Sequence, residues 1–178
     1  FVNGYFSADL SHASFSGGEP LFGDTPVTVT PFSKANDEQK AQIAKNLDTV
    51  VETDKHMFSS LNASCLSEGV YVHVGKNQQL KQPIHIVSIT TAQQTPFMVN
   101  QRALICLDEG SEASVVEHFV STEESQNSFV NNITEVRIGD NAKLQHYRLH
   151  EEEESAIHIG GLHVELNRSA TIDSFHLA

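Results

Sequence analysis

Downstream of Gly69 the chain alternates apolar and polar residues with a period of two. Val70, Val72 and Val74 are separated by Tyr71 and His73, and Ile84 and Ile86 are separated by His85. Successive side chains of an extended strand point to opposite faces, so this alternation predicts short strands with one apolar face. Lys81-Gln82-Pro83 marks the turn between the first two, because proline cannot donate to a strand ladder. No helical period returns beyond this point.

The strands then repeat. Val136-x-Ile138-Gly-Asp-Asn-Ala142-Lys-Leu144 aligns with Val164-x-Leu166-Asn-Arg-Ser-Ala170-Thr-Ile172, and every pair of matched positions has the same offset along the chain. A looser copy runs from Ile105 through Leu107 to Ala113 and Val115, and setting Ala113 against Ala142 gives its turn two extra residues. A unit of strand, polar turn, small residue and strand cannot bury its own apolar face, so copies must stack. The predicted architecture is therefore mainly β, the first part of a right-handed parallel β-helix. A β-sandwich also shows short strands, but nothing in it requires the same turn chemistry at fixed spacing. The repeat is expected to be unfinished at Ala178, leaving a bare last rung around Leu162 to Ala178 through which the chain self-associates.

The part before Gly69 reads differently. Asn3-Gly4 lies between Phe1-Val2 and Tyr5-Phe6, a hairpin signal because both turn residues tolerate positive φ. Ser7 to Ser33 reads as loop with one short strand at Val27 to Thr30. Asn36 can cap a helix with Gln39 reaching back, and Asp37 and Glu38 suit the positive end of its dipole. Ile43, Leu47 and Val50/Val51 give that helix an apolar face, and a second helix from about Asp54 is expected to bury Met57, Phe58 and Leu61. The chain thus divides into a hairpin and helical module, residues 1–68, and the opening of the β-helix, residues 69–178.

Composition narrows the function classes. The 178 residues, 39% hydrophobic and 19% charged, describe an ordinary globular chain rather than disorder. No apolar run approaches the roughly 20 residues that cross a bilayer. The net charge of −12, without a Lys/Arg cluster, argues against nucleic-acid partners. Cys65 and Cys106 make no disulfide framework and read as reduced core residues of a cytoplasmic protein. Without a secretory leader, the sequons at Asn62, Asn132 and Asn167 are chance matches.

Candidate chemistry is sparse. Ten histidines invite a metal reading, but no His-x-His occurs, and His146 and His150 would sit about 13 Å apart along one strand face. Most histidines are read as half-buried polar residues of the solenoid. Two cysteines fall short of the roughly four ligands of a conventional iron–sulfur cluster. Gly160-Gly161 reads as a turn, Glu151 to Glu154 as a solvated loop tip, and no Walker loop or Gly-x-Ser-x-Gly elbow is present. No catalytic, cofactor-binding or metal-binding residue is assigned, and the chain is not expected to be an enzyme. A cupin-like metal-dependent β-protein is the rival reading, since it too combines many strands with many histidines. A β-helical carbohydrate-active enzyme would want aromatic platforms, and there is no Trp and only three Tyr.

Several segments together resemble the SufB/SufD family, scaffold proteins of the Suf iron–sulfur cluster assembly machinery. Phe58-x-x-Leu61-Asn62-Ala63, Gly69-Val70-Tyr71-Val72-His73-Val74 and Gln82-Pro83-Ile84-His85-Ile86 are similar to its opening segment. Phe1 to Phe6 resembles the SufD amino-terminal hairpin, and Glu109 to Phe119 and Asn141 to His146 resemble strands of its β-helix. The helical module before Gly69 favours the SufD branch. The resemblance implies a non-catalytic scaffold in a SufBCD-type complex, partnered by a SufB-like subunit and a SufC-like ATPase. It implies a cluster only for the full complex, with no cofactor held by this segment. The family's SufC-binding helices and cluster-forming Cys and His residues lie in its carboxy-terminal part, and nothing in residues 1–178 matches them.

Overall fold

A computed structural model describes residues 1–11, 27–122 and 127–178. The part of the Ser7–Ser33 loop that falls on 12–26 lies outside the described residues. The Asn3-Gly4 hairpin forms as a type I′ turn, with φ of 48° and 87° and paired hydrogen bonds between Val2 and Tyr5. A short strand β1 (Val27–Pro31) leads through one 3₁₀ turn into helix α1 (Asp37–Asn46). Asn36 and Gln39 close the expected capping box at its start. The helix ends sooner than the apolar spacing suggests: Asp48 takes φ 58°, so Val50 and Val51 lie beyond it. Helix α2 (Met57–Ser64) follows, and the face it buries is Ser59 and Asn62, while Met57 is exposed. The expectation is corrected for Met57, whereas Phe58 and Leu61 are half-buried and Phe58 meets the ring of Phe129 at 6.1 Å. The side-chain amide of Asn62 donates to the main-chain carbonyls of Gln101 and Asn131 beneath the helix.

Eight strands make the rest. They are β2 (Glu68–Val74), β3 (Ile84–Thr90), β4 (Phe97–Leu107), β5 (Glu112–Ser121), β6 (Ser128–Ile138), β7 (Lys143–Glu151), β8 (Ile157–Leu166) and β9 (Thr171–Leu177). They alternate between two sheets, ordered β1-β2-β4-β6-β8 and β3-β5-β7-β9. Among the described residues every ladder from β2 onward is parallel, and of the named strands only β1 joins antiparallel. The result is a β-solenoid of about three turns. Parallel ladders exclude both the sandwich and the antiparallel jelly roll of a cupin.

The predicted register holds where the repeat is strict: Val136 pairs with Val164 and Leu144 with Ile172. The looser copy needs correction. Leu107 pairs with Ile138 and Ala113 with Leu144, so its turn carries no insertion and Ser111, not Ala113, occupies the place of Ala142. Four turns therefore stack: Gly75–Gln78, Asp108–Ser111, Gly139–Ala142 and Asn167–Ala170. In each, the fourth residue's N–H donates to the first residue's carbonyl. The third residue has positive φ: Asn77, Asn141 and Ser169 at 58°, Gly110 at 69°. These are the marks of type II turns. The turns bond to one another, Asn77 to Glu109, Gly110 to Asp140 and Asn141 to Arg168, at 2.9 Å each.

Between the sheets, Val72, Ile105, Val136 and Ala142 anchor an apolar core at the turn end of the strands. The outer face of the larger sheet is covered as well, with Tyr71, Leu104 and Cys106 packed under Ala35 and Ile43. That cover explains why β4 and β6 are buried on both faces, whereas β7 alternates cleanly. Among the described residues no helix is long and apolar enough to cross a membrane.

Candidate functional site

Away from the turns, the interior changes character. The inward positions of β5 and β7 become Glu117, Phe119, His146, Arg148 and His150, facing Gln101, Asn132 and Thr134 from the opposite sheet. Glu117 and His146 are fully shielded from solvent. Burying an ionised carboxylate is costly unless every oxygen is engaged. Here Thr134 Oγ1 donates to Glu117 at 2.8 Å, His146 Nε2 lies 2.8 Å from Oε1, and Arg148 Nε lies 3.5 Å away. Burial works against ionisation of Glu117, but Arg148 and the His146 and Thr134 hydrogen bonds prevail and hold its carboxyl below the usual range. His146 Nδ1 continues the chain of contacts to Ser174 at 3.0 Å, and Arg148 Nη2 donates to Asn132 at 3.1 Å.

Gly160 makes room for this network. It lies inside β8 beside Asn132, not in a turn as expected, and a Cβ there would stand 3.2 Å from both Arg148 terminal nitrogens. The guanidinium also packs on Phe119, 5.3 Å from the ring centroid. Phe119 in turn stacks on His150 at 4.9 Å and meets the edge of His158 at 4.6 Å.

At the corner joining β7 to β8, His150, Glu152 and His158 converge. Glu152 Oε2 lies 3.1 Å from His150 Nδ1 and 2.6 Å from His158 Nδ1. One ligand-type atom from each of the three residues falls within 4.8 Å of the others. Burial alone would raise the Glu152 carboxyl, and the two histidine hydrogen bonds outweigh it, holding the group at about 2. Glu152 is thus no part of a solvated tip, although Glu154 is exposed as expected. His146 and His150 do stay apart, each engaged with its own carboxylate.

Three other histidines, His73, His85 and His118, lie on outward positions of their strands. His73 pairs with Asp108 at 3.0 Å and His118 with Glu151 at 2.8 Å, and His85 stacks on His118. Cys106 is buried, whereas Cys65 is exposed at the end of α2, which corrects its reading as a core residue. Sequence reasoning missed the Glu117–His146–Arg148 cluster. Its one legible signal is parity: Glu117 and Arg148 sit in step with the inward Val115 and Leu144.

A second buried ionic cluster fastens the helices to the outer face. Arg102 Nη1 contacts Glu135 and lies 2.8 Å from Asp48 Oδ1, while its Nε donates to Asn62 Oδ1 at 2.9 Å. Glu135 also accepts the main-chain N–H groups of Asp48 and Val50.

A two-sheet parallel solenoid with a helical cover and a polar filling at one end defines the structural class. The family model described as "SUF system FeS cluster assembly, SufBD core domain" matches residues 88–178, just over half of the chain. The chain belongs to that SufBD family. It is 28% identical over 168 residues to an iron–sulfur cluster assembly SufBD family protein of Synechocystis, covering 89% of this chain and 35% of the relative. It is 29% identical over 141 residues to the iron–sulfur cluster assembly protein SufD of Bacillus subtilis, covering 79% and 32%. A chloroplastic protein of Arabidopsis thaliana, ABCI7, shares 27% identity over 109 residues, covering 58% and 23%. The chain spans about a third of the length of the first two relatives.

Proposed function

We propose that this chain is the opening part of a SufD-like scaffold subunit that works in the cytoplasm, within a SufBCD-type complex that assembles iron–sulfur clusters. Its partners are a SufB-like subunit and a SufC-like ATPase, it catalyses no reaction of its own, and the cluster is the cargo of the complex. The observation that carries this reading is the family match over residues 88–178, which falls on β4 to β9, the regular part of the solenoid. The edges of β8 and β9, with Ile157, Leu166, Phe175 and Leu177 exposed, offer surface for further rungs or for a partner.

The test is co-purification. The full-length protein, tagged and expressed with SufB-like and SufC-like subunits, is expected to return both in fixed proportion and to support anaerobic cluster formation by the complex. A stable full-length protein that captures neither would overturn the proposal.

A further inference from the structure

We propose that His150, Glu152 and His158 form a binding site for one divalent transition-metal ion of the zinc or ferrous class. Two imidazoles and one carboxylate on a short corner are the donor set that such ions take, with open positions left for water or another ligand. The three side chains are already drawn together, within 4.8 Å, and need no rearrangement of β7 or β8 to converge. Bonds of about 2.1 Å in a tetrahedral site place ligand atoms about 3.4 Å apart. The His150 contact of 3.1 Å is near that spacing, and the His158 contact of 2.6 Å has to open by less than an ångström.

The surroundings fit a ligand role. His158 and Glu152 side chains are each only 10% exposed, so the site is shielded but reachable. Phe119 backs both imidazoles and fixes their planes. His158 Nε2 is buried without a hydrogen-bond partner, so the hydrogen bonds of the fold leave part of this ring unused. Glu152 supplies the carboxylate oxygen of the donor set. The inference does not rest on the assembly role, and it departs from the expectation that the segment holds no metal.

The experiment is metal titration of the chelator-treated full chain. Co(II) is followed by its visible absorption, Zn(II) by competition with a chromophoric chelator, and Fe(II) under anaerobic conditions. One ion per chain is expected, with affinity in Glu152→Gln and His158→Gln reduced by at least the roughly 10-fold to 100-fold that loss of an outer-shell partner costs. His73→Gln and His118→Gln, which break the two surface histidine–carboxylate pairs, are expected to leave binding unchanged. Because a variant can fail to fold, X-ray absorption of the zinc-loaded unaltered chain gives an independent reading, expected to show two imidazole ligands. Tight binding of either zinc or iron supports the site, and their order of affinity tells which class it takes. Absence of stoichiometric binding by all three ions, or affinity that survives the Glu152 and His158 substitutions, overturns it and leaves the trio as a hydrogen-bonded clasp.

Discussion

The side-chain amide of Asn62 in α2 donates to the carbonyl of Asn131 at 2.8 Å and to that of Gln101 at 3.0 Å, bridging two successive rungs. Its oxygen accepts from Arg102, whose guanidinium reaches Glu135 and Asp48. One buried amide thus links the helical cover to β4, β6 and an ion pair whose side chains are wholly shielded. Breaking such a pair leaves the buried guanidinium with only the partly exposed Asp48 as counter-charge, so Glu135→Gln is expected to destabilise the fold by up to about 3–5 kcal/mol. Replacing both partners, Arg102→Met with Glu135→Leu, is expected to cost less than the worse single change. Urea unfolding of the full cycle measures this, and additive losses would contradict the coupling.

The turn ladder makes opposite predictions for two of its rungs. Gly110 has φ 69°, and a Cβ there would collide with the Asn77 side chain. Gly110→Ala is expected to lose about 1–2 kcal/mol. Ser169 holds a left-handed conformation at a side-chain-bearing residue, so Ser169→Gly is expected to gain about 0.5–1 kcal/mol. Thermal melts of both variants decide the matter, and a loss in both would show that the side chain of Ser169 matters more than its backbone.

Glu117 couples the solenoid interior to pH. Its folded carboxyl lies below the ordinary 4.5, so its favourable contribution is complete above that value and drains away as pH falls through the lower folded range. The groups facing it are His146 and Arg148 from β7, Thr134 from β6 and, at longer range, His176 from β9. The stability difference between the unaltered chain and Glu117→Gln is expected to be largest near pH 7 and to shrink below about pH 4.5. A gap that stays constant down to pH 3 would show that the charge of Glu117 is not what the interior uses.

The two thiols should separate in reactivity. Burial pushes the Cys106 thiol up to about 12, with Arg137 opposing and Asp108 adding to the shift, whereas Cys65 is exposed. At pH 8 only about one Cys106 in 10⁴ is a thiolate. Iodoacetamide is expected to label one cysteine per native chain, at Cys65, and two after denaturation. Peptide mapping of the native adduct checks the assignment.

Much of the solenoid is legible in the sequence because its signal is local and repeated. Matching Val136 to Val164 and Ala142 to Ala170 needs only a ruler, and Asn3-Gly4 and Asn36 declare themselves by turn and cap chemistry. The failures share a cause. Matching residue names sets Ala113 in the place that backbone φ gives to Ser111. Hydrophobicity alone puts Met57 and Cys65 inside, although α2 meets strand carbonyls and therefore buries Asn62. The polar cluster is hidden because Glu117, Thr134 and Asn132 belong to different strands and meet only across the interior. Glu152 and His158 are six residues apart, a spacing that has no meaning until the corner between β7 and β8 is drawn.

The four stacked turns keep one length, and the repeat still shortens along the chain. Ile138 stands further in sequence from Leu107, its partner in β4, than from Leu166, its partner in β8. All of that shortening falls on the opposite edge, where β5 leads to β6 and β7 to β8. From β4 onward one margin of the molecule acts as a binding spine, copied page after page, while the other is left free to be trimmed or lengthened without disturbing the text. Novelty in such a protein should accumulate along the free margin, and it is at the shorter of these two corners that a glutamate and two histidines stand face to face.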